Sequence, residues 1–198
     1  MLAYVTLIAA LIYFIAAIYG YTRKQGVDYF FWIISSLSFL IVAGALAVMG
    51  LAALEQPYTP FIGALYPAFL AIGILYRLRD TWWKYYLGFV VVMMILMAAG
   101  YSVVYPSLSV GAEVLLHTLS GLIIVFLPII KVLTKEWSYE YLVITIGGIV
   151  IGIGGLALAS IVAGAPILPL ELVIALLHPI LALSALLIAI GVYLIIEK

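Results

Sequence analysis

Seven long apolar runs, with charge gathered at their ends, decide what this chain can fold into. They are Leu2–Tyr21, Tyr29–Leu54, Pro60–Tyr76, Tyr85–Tyr105, Gly111–Leu133, Tyr141–Gly164 and Leu168–Ile196. A bilayer core about 30 Å thick needs roughly 20 apolar helical residues per crossing. Each run is therefore read as a transmembrane helix. Composition closes off the soluble alternative. Of 198 residues, 69% are hydrophobic and 8% charged, where soluble domains sit near 45–50% and about 25%. The chain is expected to be an all-α integral membrane protein, with residues 1–198 forming a single seven-helix transmembrane domain.

The distribution of charge orients it. Arg23, Lys24, Arg77, Arg79, Lys84, Lys131, Lys135 and Lys198 fall at one set of ends. The alternate ends carry no basic residue and hold Glu55, Glu113 and Glu171. Basic loops face the cytoplasm. The N-terminus is thus predicted outside and the C-terminus cytoplasmic, in a multi-pass protein of the cell membrane. The first run lacks a basic leader and reads as a spanning helix rather than a cleaved signal.

The basic turns resemble one another. Arg23-Lys24 precedes Tyr29-Phe30-Phe31-Trp32, and Arg77-Leu78-Arg79 precedes Trp82-Trp83-Lys84-Tyr85-Tyr86. Lys131 and Lys135 precede Trp137, Tyr139 and Tyr141. Aromatics at this level suit an interfacial belt. The pattern is also compatible with three repeated helical hairpins plus a seventh helix. At the opposite ends the third, fifth and seventh runs read Tyr66-Pro67, His117-Thr118 and His178-Pro179 at matching depth.

His117 and His178 are the chain's two histidines. An ionisable group inside a spanning helix is a functional-site candidate. Three readings compete. In the first, both are axial ligands of a haem b iron, held between the fifth and seventh helices near the outer face. Gly121 and Ala182, one turn below, leave room beside the rings, and Tyr66 lines the same cavity. Tyr101 and Tyr105 are further candidates for its wall. The glycines of the sixth run, Gly147-Gly148, Gly152 and Gly154-Gly155, admit either a macrocycle or a neighbouring helix. In the second, His117 and His178 hold a divalent metal with Glu113 and Glu171. The vertical offset of about 6 to 10 Å along the helices counts against that. In the third, the histidines hydrogen-bond across helices, to Tyr66, Tyr101, Thr118 or Ser184. Pro67, Pro128 and Pro179 are read as bends. Pro67 and Pro179 each free a carbonyl that needs a protein partner.

Several classes are excluded. No cysteine is present, which removes disulfides, iron–sulfur clusters and covalent haem. Net charge is zero, so nothing favours nucleic acid. No acid or base lies mid-membrane to serve a Schiff base, a voltage sensor or a proton relay. The leading expectation is a b-type cytochrome-like or accessory subunit of a respiratory electron-transfer complex, with no catalytic activity on its own. Its expected partners are the lipid bilayer, other membrane subunits or an outer-surface electron-transfer protein, with a quinone as a further candidate. The alternatives are a seven-helix sensor or small-ligand-binding protein, and a cofactor-free structural subunit.

Overall fold

A computed structural model describes residues 1–102, 106–162 and 166–197. Among them are seven α-helices and no strand. The helices are α1 (Leu2–Lys24), α2 (Val27–Met49), α3 (Thr59–Tyr76), α4 (Trp82–Ser102), α5 (Pro106–Leu133), α6 (Tyr141–Val162) and α7 (Leu170–Ile196). A 3₁₀ segment, Gly50–Glu55, extends α2. Six of these stretches are long and apolar enough to cross a membrane, and α6 is an apolar helix whose described core is shorter. The chain is a multi-pass helical membrane protein.

The ends differ from expectation where backbone chemistry intervenes. Pro106 opens α5 instead of lying in a loop, since a proline in the first turn lacks only an N–H that has no helical partner there. The first basic pair is absorbed into its helix, so α1 runs on through Lys24. Gln25, Arg79 and Lys135 take left-handed backbone, at φ 50°, 56° and 61°. All three basic turns thus close through the same unusual conformation.

Helices α1, α2, α3, α5, α6 and α7 pack in ring order, and α7 closes against α1. Helix α4 lies outside, against α3 and α5. In lipid, apolar contact is not driven by water, so close backbone approach and polar cross-links do the joining. Ala9, Ala10 and Ala17 of α1 are buried. A Cβ at Gly147 or Gly154 would crowd Ile188 or Ile180 of α7, and one at Gly148 would crowd Ile124 of α5. The glycines of α6 that touch anything therefore serve helix packing. Gly152 and Gly155 face open space.

A chain of buried hydroxyls crosses the bundle. Tyr13 Oη donates to Ser35 Oγ at 3.1 Å, and Ser35 Oγ donates to the Tyr66 carbonyl at 2.7 Å. Tyr66 Oη and Ser184 Oγ are 3.3 Å apart, and Ser184 Oγ donates to the Gly147 carbonyl at 2.9 Å. Five helices are tied by one run of bonds, each typically worth about 0.6 kcal/mol in a bilayer.

Candidate functional site

The two histidines bond to different partners. On α5, His117 is exposed at the bundle's surface, and its Nδ1 lies 3.0 Å from the Glu113 carbonyl of its own helix. A carbonyl only accepts, so Nδ1 carries the proton. His178 of α7 turns the other way. Its Nδ1 lies 3.3 Å from Thr6 Oγ1 of α1, and Thr6 Oγ1 is 3.2 Å from the His178 carbonyl. Among the described residues, α5 and α7 each pack extensively on α6 rather than on each other.

The remaining members of the expected haem site are dispersed too. A Cβ on Gly121 would meet nothing within 4 Å. Tyr66 is buried, bonded to Ser184 and tilted against Phe39 with ring centres 4.8 Å apart. Tyr105 lies outside the described residues, as does the side chain of Tyr101. The arrangement does not fit a bis-histidine haem within one chain. The cross-helix bonding expected in the third reading is found for His178, with Thr6 as partner. Tyr66 and Ser184, two of the partners anticipated for the histidines, bond to each other. No group of three or more His, Asp or Glu among the described residues forms a metal site.

The more developed polar site lies at the opposite, basic end. It follows from the antiparallel pairing of α2 and α3. That pairing puts the first turn of α2 level with the last turn of α3. Asp28 sits at the positive end of the α2 dipole and Arg77 at the negative end of the α3 dipole, each on the favourable side. They form an ion pair, Arg77 Nη2 to Asp28 Oδ2, at 2.5 Å. The Asp28 side chain is 7% exposed and that of Arg77 26%.

Aromatic rings enclose the guanidinium. Its carbon lies 5.1 Å from the Tyr29 ring centre, 5.5 Å from Trp32 and 5.9 Å from Tyr141. Cation–π attraction of this kind strengthens as water is excluded. Burial works against the charge on Arg77, but Tyr141, Asp28 and Tyr29 outweigh it and hold its pKa above the ordinary guanidinium value. Two glycines make the box possible. A Cβ on Gly20 would overlap the Tyr29 ring, and one on Gly73 would overlap the Trp32 indole and meet the Asp28 carbonyl at 3.0 Å. Trp32 Nε1 donates to the Leu70 carbonyl at 3.3 Å, which locks the indole on α3.

Beside this box lies an open cavity of about 440 Å³. Lys24, Asp28, Arg77 and Arg79 supply charge to its wall. Tyr29, Tyr76, Ser138 and Tyr141 supply hydroxyls, and Gly26 and Ile195 complete it. The ends of five helices thus meet at one polar hollow. From sequence these residues read as separate interfacial anchors. One signal was available: Asp28 interrupts a basic turn and aromatic cluster, at the start of a helix where an acid is favoured.

No family model, curated protein or solved structure matches the chain.

Proposed function

We propose that this chain is a ligand-binding or sensory protein of the cell membrane, with its site at the basic end, its N-terminus outside and its C-terminus cytoplasmic. The observation that carries the reading is the cavity beside the Asp28–Arg77 pair. A concave site with a few convergent polar groups beside aromatic walls is the usual form of a small-molecule site. The orientation is supported by the basic turns that gather there. The electron-transfer reading draws no support from the positions of His117 and His178, so no haem step is assigned.

Cysteine scanning tests the reading on a clean background, because the chain has no cysteine. The Ser138→Cys protein should react with an impermeant maleimide in inside-out vesicles, and the Ser107→Cys protein in intact cells. The reverse pattern would overturn the orientation. Silence of Ser138→Cys where Thr134→Cys reacts would mean that the cavity is closed, and would end the binding-site reading.

A further inference from the structure

We infer that the basic-end cavity takes a phosphate-bearing ligand, recognised by Lys24 and Arg79 while Asp28 holds Arg77 in the aromatic box. This rests on the reading of the cavity as a binding site. Three cations line the wall against one carboxylate, which leaves an excess of two positive charges. A phosphate monoester carries about −1.5 to −2 charges at pH 7 and offers three acceptor oxygens. A single carboxylate would leave half of that excess unmatched.

The four charged groups divide the work. Arg77 is committed to Asp28 and to three rings, so it shapes the floor. Lys24 and Arg79 are exposed at the rim and have no ion-pair partner among the described residues. Arginine grips phosphate with a planar fork and lysine with a mobile point charge. Ser138 adds a neutral donor to the lining. The hollow also sits where helix ends meet, and basic pockets between spanning helices suit anionic headgroups. The same chemistry would serve a free phosphorylated solute.

The test uses the full-length Ser138→Cys protein in a phosphate-free maltoside detergent, and reads the rate of maleimide labelling. Phosphatidic acid and inorganic phosphate are added separately, with diacylglycerol and chloride of equal ionic strength as controls. Labelling should slow by about tenfold when the ligand is at ten times its Kd. Slowing by phosphatidic acid alone identifies a lipid headgroup, and slowing by inorganic phosphate identifies a soluble ligand. The protection should vanish in the Lys24→Gln/Arg79→Gln double variant, whose changes lie on the exposed rim and spare the box. Normal labelling that neither phosphate compound slows overturns this inference while leaving the cavity reading intact. Protection that survives the double variant also overturns it. Failure of the ligand-free protein to label, where Thr134→Cys does label, strikes instead at the cavity itself.

Discussion

Thr145 Oγ1 of α6 donates to the Ile124 carbonyl of α5 at 3.3 Å, and that carbonyl is the one Pro128 leaves without its helical donor. Proline at position i removes the N–H that would bond to i−4. Within a bilayer the freed oxygen has no water to turn to. A neighbouring helix supplies the proton instead, and a bend in one helix becomes a bond between two.

Thr145→Val should therefore destabilise the protein by about 1 kcal/mol, within the range measured for hydrogen bonds in membrane proteins. Pro128→Ala restores the donor inside α5. The same Thr145→Val change made in that background should cost close to nothing. A double-mutant cycle from denaturation in mixed detergent micelles measures the coupling. Equal costs in both backgrounds would dissociate Thr145 from Pro128.

Two glycines should respond oppositely to alanine. At Gly73 the added methyl runs into the Trp32 indole and the Asp28 backbone, so Gly73→Ala should cost about 1–3 kcal/mol, as overpacking does. At Gly121 the methyl enters open space, and Gly121→Ala should be neutral or stabilising by up to about 1 kcal/mol through helix propensity. Thermal unfolding of the two variants decides it. A large loss at Gly121 would point to an occupant on that face of α5.

Asp28→Asn should lower stability by about 1–3 kcal/mol, less than for a fully buried pair because Arg77 keeps a quarter of its surface open. Arg77→Lys should not rescue the site. An ammonium lacks the planar fork that meets Asp28 and stacks on Tyr29, Trp32 and Tyr141. The part of the tryptophan fluorescence that a Trp32→Phe background removes reports on Trp32 among the chain's four tryptophans, and it should shift in both variants.

Protein purified intact from haem-replete cells should show no visible band that depends on both histidines. A low-spin spectrum lost in both His117→Ala and His178→Ala would restore the haem reading. It would also require the two helices to meet through an arrangement other than this ring.

Glu136, in the turn after α5, accepts from Lys131 Nζ at 2.6 Å and from Thr134 Oγ1 at 2.9 Å. Those bonds, Lys131 first, hold its carboxyl below the ordinary value of 4.5. The folded pKa is the lower one. The stabilisation is therefore present above the unfolded value and fades as pH falls through the folded value. Carbon-13 NMR of labelled glutamate should show Glu136 titrating below the ordinary glutamate value, and Lys131→Ala should move it upward.

The helices were legible because their cause is local. A run such as Leu170–Ile196 must be helical in lipid, since its backbone bonds have no other partner there. The gathering of basic turns at one end was equally legible, because charge cannot remain in the hydrocarbon. Which residues face one another was decided only by the order of packing. The sequence places His117 and His178 at a similar expected depth, but depth fixes one coordinate of three. Helix α6 fills the place between their helices, and Thr6 takes His178 instead. Conversely, Asp28 and Arg77 stand 49 positions apart and carry no motif. They meet because α2 and α3 run antiparallel and because Gly73 lets Trp32 lie against α3. Helical pattern is written residue by residue, whereas a pocket at helix ends exists only once five helices have chosen their neighbours.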